Sequence, residues 1–281
     1  LIIVNDGSTD STQLVCENYL SDKRVHAITQ RNKGQGAARN AGIQASNGEF
    51  LAFIDDDDLW RSNKLEEQVA FFHERLGADP ETGLVFHSVD LIDDRGKVFG
   101  RYPRCTIGGE IYRELLMENW VGSPCAVMFH RRVLEKVGLF VELPPPFCVE
   151  DYDMWLRIAR DNHVYHQGAA LGCYRYYSGG ASRDERRMEM GERIFLVRAL
   201  LQDPTLDENS LFRHWYSKWA FRRFHMDDFA GFRIRCRAAS AYGSVGWRLR
   251  ARFVLSLFPP LVQFMRRHLP AAEPYFLAPE V

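Results

Sequence analysis

The chain has 281 residues, of which 46% are hydrophobic and 26% charged, a balance that excludes a disordered or collagen-like polypeptide. Its net charge of -1 excludes a strongly basic nucleic-acid binder. The average conceals a division: residues 1–182 carry 19 basic and 26 acidic side chains, whereas residues 183–281 carry 17 and 11, so two parts with different partners are expected.

The first half alternates strands and helices. The apolar run Leu1 to Asn5 reads as a buried strand that stops at Asp6-Gly7-Ser8. Thr9 or Asp10 can cap a helix running to about Leu20. A strand at Val25 to Thr29, a helix at Gln35 to Ala45 and a strand at Glu49 to Ile54 follow. That strand ends in four aspartates, Asp55 to Asp58. Asn63 to Leu76 is expected to be a helix burying Leu65, Val69, Phe72 and Leu76. This order implies an α/β fold with a mostly parallel sheet flanked by helices.

From Gly83 the pattern changes. Strands are expected at Leu84 to Val89 and Lys97 to Gly100, around a turn at Asp93 to Gly96. Short helices are expected at Ile111 to Met117 and Arg132 to Val137, with a strand at Ala126 to His130 between them. A helix at Asp151 to Ala159 should turn Trp155 and Ile158 inward, and late strands follow at Val164 to His166 and Ala170 to Tyr174. After Gly179-Gly180 the sequence is almost wholly helical. The division therefore falls near 180, between a catalytic domain (1–180) and a basic, aromatic-rich helical extension (181–281).

The six cysteines, Cys16, Cys105, Cys125, Cys148, Cys173 and Cys236, form no CxxC pair and read as free thiols. No apolar run reaches the roughly 18 residues of a membrane span. His163-x-x-His166 lacks a nearby acid in sequence and reads as an ordinary pair of histidines, not a metal site. Gly34-x-Gly36 is explained equally by a tight turn and by a phosphate loop.

Two acidic clusters carry the chemistry. Four adjacent aspartates after a strand repel one another unless something offsets the charge. They lie at the carboxyl end of a strand, where open α/β sheets bind ligands. Asp55 and Asp57 are two apart and point the same way in extended chain, towards a shared divalent cation or its phosphates. Asp58 reads as a helix-start residue. The second cluster, Glu150-Asp151-Tyr152-Asp153, precedes an amphipathic helix, with Asp153 as the structural member. Asp6 can accept hydrogen bonds from a nucleobase or ribose, or merely form an Asx-turn.

Together these residues resemble the family 2 glycosyltransferases, which have the GT-A fold. Val4 to Asp10, Asn32 to Gly42, Phe53 to Asp58 and Cys148 to Arg157 resemble the family's two nucleotide motifs, its DXD motif and its ED motif, in order. Tyr174-Arg175 with Ser178 and Ser182 resembles the segment that closes the domain. The resemblance implies that Asp6, Arg39, Asp55 and Asp56 bind a nucleotide-diphosphate sugar, usually a UDP-sugar. It implies that Asp57 ligates Mn²⁺ or Mg²⁺. Asp151 would be the general base for an inverting transfer, with Glu150, Ser123 and Arg175 as acceptor or accessory residues. The acceptor implied is a glycan or a lipid-linked sugar in cell-surface polysaccharide synthesis, handled in the cytoplasm or at the inner face of the plasma membrane.

The sequence departs from the family in two places. The strand and helix that usually precede the first motif are missing, so the chain is expected to be a fragment, a crippled protein being the other reading. The QxxRW motif of processive synthases is missing too, which implies a single transfer. A sugar-phosphate nucleotidylyltransferase and a noncatalytic nucleotide- or glycan-binding remnant are the rival functions. In the tail, Leu211 to His268 hold 12 basic and two acidic residues with interleaved aromatics. The apolar segment Phe253 to Met265, broken by Pro259-Pro260, fits peripheral membrane contact or a helical subdomain with solvated arginines.

Overall fold

The computed structural model describes residues 1–103, 107–142, 149–177, 179–260 and 262–263. Cys105, Cys148, Ser178, Phe264 and Met265 lie outside the described residues. The chain divides into two compact units, Leu1–Phe195 and Leu196–Val281.

The first unit begins with β1 (Ile2–Asn5), α1 (Thr12–Glu17), β2 (His26–Thr29) and α2 (Gln35–Ala45). Next come β3 (Phe50–Ala52), β4 (Leu59–Trp60), α3 (Lys64–Ala78), β5 (Thr82–Ile92), β6 (Val98–Tyr102) and β7 (Gly108–Gly109). It continues through α4 (Tyr112–Met117), β8 (Val127–His130), α5 (Leu134–Val137), α6 (Glu150–Asp161) and β9 (His163–Arg175). α7 (Glu185–Gln202) crosses the boundary, and α8 (Glu208–His225), α9 (Phe229–Ala241) and α10 (Trp247–Leu255) form the second unit. The division thus falls inside α7, beyond the composition change near 180. The first turns of α7 stay with the first unit because Gly191 sits tight against Val149.

The sheet is mixed, as expected of the fold, but fewer of its ladders are parallel than the strand–helix alternation implied. β1 and β2 pair in parallel as a two-stranded sheet of their own. The larger sheet runs β3-β8-β5-β9-β4, with β6 on β5 and β7 on β9. In it β5 and β9 are parallel, and the other ladders are antiparallel. The reason lies after β5, where β6 returns antiparallel across a tight turn and β8, reached through β7 and α4, pairs antiparallel with both β5 and β3. The two expected late strands are one strand, β9, whose register against β5 slips at Phe86–Ser88.

β1 is less buried than its composition implies: Ile2, Ile3 and Val4 are half-buried and only Asn5 is buried. The core sits instead around β5, where Leu84, Val85 and Phe86 are fully buried, and around Trp155 and Ile158 of α6. α2 begins at Gly34, whose φ of +93° favours glycine. A Cβ on Gly36 would lie 2.3 Å from the Val141 carbonyl oxygen, so this glycine brings α2 against the 140–142 segment. Asn40 locks the contact from both sides. It donates to the Phe140 carbonyl at 2.9 Å and accepts from the Phe140 N–H at 2.9 Å.

α3 buries Phe72 and packs Val69 and Leu76 inward as expected, but the face is rotated at its start. Leu65 is exposed, whereas Lys64 and Gln68 are fully buried beside Phe72. Gln68 is tolerated because its amide donates to the Ala126 carbonyl at 2.8 Å. His163 and His166 do not meet. His163 bonds Asp79 at 2.6 Å, and buried His166 bonds Ser88 at 3.0 Å and stacks on Phe86. Cys16, Cys125, Cys173 and Cys236 are free thiols. Among the described residues no helix is long and apolar enough to cross a membrane.

Candidate active site

The acidic turn after β3 is held by partners far away in sequence. Asp55 accepts from the Arg39 guanidinium of α2 at 2.8 Å. Asp58 is buried and accepts from the Arg175 backbone N–H at 2.9 Å and from the Ser123 hydroxyl at 3.2 Å. It is therefore not a helix cap: α3 starts after Asn63, and Asp58 ties β9 and the turn before β8 to the acidic loop. Burial pushes its carboxyl up to about 6, against the bond from Arg175. The Arg175 guanidinium donates to the Asp57 carbonyl at 2.9 Å and to the Asp93 carbonyl at 3.0 Å. Arg175 thus clamps the turn from outside, and the Ser123 hydroxyl is engaged by Asp58 and the Cys125 N–H.

These bonds leave two carboxylates facing outward. Asp56 is exposed and Asp57 half-buried. Burial, then repulsion from Asp55 and Asp56, raises the Asp57 carboxyl above its ordinary range, and a hydrogen bond with Tyr177 partly offsets this. A hard divalent cation binds such oxygen donors and takes water and phosphate oxygens for its remaining positions. The donor set at Asp56–Asp57 fits that pattern. Among the described residues no group of three or more His, Cys, Asp or Glu side chains forms a ready-made cage.

The second acidic cluster reaches the same place through Arg39. Glu150, buried at the start of α6, accepts from the same guanidinium that holds Asp55. One arginine thereby joins the end of β3 to the first turn of α6. Burial works against the Arg39 charge, but Asp55, Glu150 and Asp151 outweigh it and raise its pKa. Asp151 follows Glu150 and is partly buried. Burial first, and Glu150 repulsion second, push its carboxyl up to about 7, with Arg39 and the Tyr152 N–H pulling the other way. A carboxylate titrating near neutrality is matched to general-base work. Asp153 is structural, as expected: it is buried and bonds Arg157 at 2.7 Å, which in turn donates to the Leu139 carbonyl.

Asp6 lies at the end of β1 and accepts from Gln30 at 2.7 Å, from the Lys33 N–H at 3.0 Å and from the Gly34 N–H at 2.8 Å. These bonds shape the entry to α2. They occupy three of the roughly four acceptor positions of a carboxylate, leaving Oδ2 with room for another donor. The structure therefore brings Arg39, Asp55, Glu150 and Asp151 together, and binds Ser123, Arg175 and Asp58 into the frame beneath them. Lys64 behind this turn was not foreseen. It is fully buried, its Nζ lies 3.8 Å from the Trp60 ring centroid, and Trp60 donates to the Cys125 carbonyl at 2.8 Å. Only the spacing Lys64-x-x-x-Gln68-x-x-x-Phe72 could have shown that face, and its two polar residues hid it.

Residues 1–138 match the family described as glycosyl transferase family 2. The chain is 40% identical over 188 residues to TuaG of Bacillus subtilis, described as a teichuronic acid biosynthesis glycosyltransferase, covering 66% of this chain and 70% of that protein. It is 27% identical over 180 residues to WfgD of Escherichia coli, a UDP-Glc:alpha-D-GlcNAc-diphosphoundecaprenol beta-1,3-glucosyltransferase, covering 63% and 64%. The chain spans only 22% to 34% of the length of three matching Rickettsia glycosyltransferases. The structure of Staphylococcus aureus TarS (residues 1–349) shares the fold, with a TM-score of 0.57 at 16% identity over 95% of this chain and 81% of that one. On the match to TuaG and to the family description, this chain with its GT-A fold belongs to glycosyltransferase family 2.

Proposed function

We propose that this protein is an inverting glycosyltransferase that moves a sugar from a UDP-sugar to a hydroxyl of a glycan or lipid-linked acceptor in polysaccharide biosynthesis. The observation that carries this reading is the bridge from Asp55 through Arg39 to Glu150, which holds Asp151 next to the acidic turn. The names of TuaG and WfgD support the setting: one names teichuronic acid biosynthesis, the other a UDP-Glc donor and a diphosphoundecaprenol-linked acceptor.

In this reading Asp6 and Asp55 bind the nucleoside, and Asp56 and Asp57 face the diphosphate. Asp57 would ligate Mn²⁺ or Mg²⁺, which when bound neutralises charge on the leaving diphosphate. Asp151 removes the proton from the acceptor hydroxyl as that oxygen attacks the anomeric carbon from the face opposite the diphosphate. One base and in-line attack give inversion, with no sugar–enzyme intermediate. Glu150, Arg39 and Arg175 are positioning residues, and Ser123 holds the frame beneath the site. The reaction would run in the cytoplasm, at the inner face of the plasma membrane, with the basic aromatic unit as the peripheral contact.

The test is nucleotide release from a panel of UDP-sugars, with Mn²⁺ or after chelation. Metal-dependent release that is lost in Asp57→Ala and in Asp151→Asn supports the reading. Release that survives Asp57→Ala and Asp151→Asn together would overturn it.

A further inference from the structure

The second unit contains a helix that buries an arginine and leaves large apolar side chains exposed. On α10, Leu249 and Arg252 point inward, followed by Ser256 just past the helix end, and all three are buried. Arg252 is only 1% exposed, and its guanidinium lies 4.4 Å from the Phe221 ring centroid and 5.9 Å from that of Phe224. The opposite face carries Trp247 and Val254, seven residues apart and so on one side of the helix. Leu257 and Phe258 extend that surface past the helix end. Trp247 is 66% exposed and Phe258 58%, with Val254 and Leu257 also above half. Arg233 fixes the arrangement by donating to the Ser256 carbonyl at 2.8 Å.

Leu249, Phe253 and Leu255 already supply the inward face, so the exposed tryptophan and valine form a second apolar surface that water alone does not favour. Its outward apolar side chains are bordered by cations. Arg250 is exposed beside them, and Arg248 lies over the Trp247 ring at 5.7 Å. The surrounding sequence, residues 211–268, holds 12 basic residues against two acidic ones. An apolar ridge with Trp at one end, flanked by arginines on a cationic background, complements an anionic bilayer surface.

We propose that the outer face of α10 and the turn after it, Trp247, Arg248, Arg250, Val254, Leu257 and Phe258, docks on anionic lipid. The apolar side chains enter the headgroup boundary and the two arginines meet lipid phosphates. Hydropathy picks out the whole apolar run from Phe253, but only part of it faces outward: Val254, Leu257 and Phe258 are exposed. Phe253 and Leu255, inside that run, pack inward against the cluster around Phe224, Phe232 and Leu249. The proposal rests on the membrane contact proposed above only for the class of partner. Its test needs no catalysis, so its failure leaves the transfer reading standing.

The experiment is flotation of the full chain with vesicles of equal parts phosphatidylglycerol and phosphatidylcholine, compared with phosphatidylcholine alone. Far-ultraviolet circular dichroism checks that each variant is folded. The chain is expected to float with the anionic vesicles and to be released by high salt. Arg248→Gln with Arg250→Gln should weaken binding about thirtyfold, from about 1 kcal/mol per charge near the surface. Trp247→Ser with Phe258→Ser should weaken it about tenfold or more. Leu14→Ser with Val15→Ser, which alters exposed apolar residues on α1, should change nothing. Absence of flotation, equal flotation with neutral vesicles, or undiminished binding in both α10 variants would overturn the proposal. So would a dimer that Trp247→Ser dissolves in a chain that binds no vesicle, since the face would then belong to a second copy.

Discussion

Replacing Asp151 with Asn should stabilise the protein while greatly slowing its reaction, and the stabilisation should depend on pH. The Asp151 carboxyl is raised from 3.8 to about 7 by burial and by Glu150. At about 1.4 kcal/mol per pKa unit, that displacement corresponds to roughly 4 kcal/mol against the ionised form. Water reaching the partly exposed carboxylate lowers the figure, so about 2–4 kcal/mol is expected. The sign follows from linkage. A folded-state pKa above the unfolded one contributes stability that is fully present below 3.8 and is lost as pH rises through about 7. Asn mimics the protonated group at every pH. Asp151→Asn and the parent should therefore unfold at the same urea concentration in acid below pH 3.8. Above pH 7 the variant should be the more stable by the stated amount. A variant that is less stable than the parent above pH 7, or whose advantage is the same at all pH values, would refute this account of the cluster.

Arg39→Met leaves Asp55, Glu150 and Asp151 facing one another without a counter-charge. It should destabilise the protein by about 3–5 kcal/mol in urea denaturation at neutral pH, and a variant within 1 kcal/mol of the parent, about the worth of a surface pair, would show that the bridge does not form. Gly36→Ala places a methyl group 2.3 Å from the Val141 carbonyl; a clear fall in Tm is expected, and an unchanged Tm would mean α2 does not pack there. Lys64 is lowered to about 7 by burial, so its contribution to stability is present above 10.5 and lost as pH falls through about 7. Lys64→Met should thus be more stable than the parent below pH 7, with the gap closing towards pH 10.5. A gap that stays constant with pH would place the Lys64 ammonium in solvent, and one that widens as pH rises would place it in an ion pair.

Local patterns were legible where neighbours in sequence decide the structure. The helix at Gln35 to Ala45 is observed with the same bounds, because Gly34 starts it and the close-packed Gly36 anchors it. The residues of the acidic turn and of the Glu150–Asp151 pair could be named, since their chemistry is written in adjacent letters. What joins them could not: Arg39 and Glu150 are 111 residues apart, and Asp58 and Arg175 are 117 apart. Asp58 read as a cap because the partner that buries it arrives on β9. The face of α3 was read correctly at Val69, Phe72 and Leu76 but not at its first turn, for a related reason. Counting apolar residues favours Leu65, whereas the sheet accepts Lys64 on the Trp60 ring and Gln68 on two carbonyls. The direction of the strands after β5 depended on connections whose lengths are visible but whose return path is not.

The central claim is that Asp151, held at the acidic turn through Arg39, is the base of a glycosyl transfer. It is tested most directly by the rate of sugar transfer as a function of pH, for the parent and for Asp151→Asn, with the donor and acceptor that support turnover. The parent rate should rise with a single limb centred near 7, following the ionisation of Asp151. Asp151→Asn should be slower by about 10²–10⁴-fold and should lose that limb. A variant that keeps the parental rate, or that keeps the same limb at a lower rate, would contradict the claim.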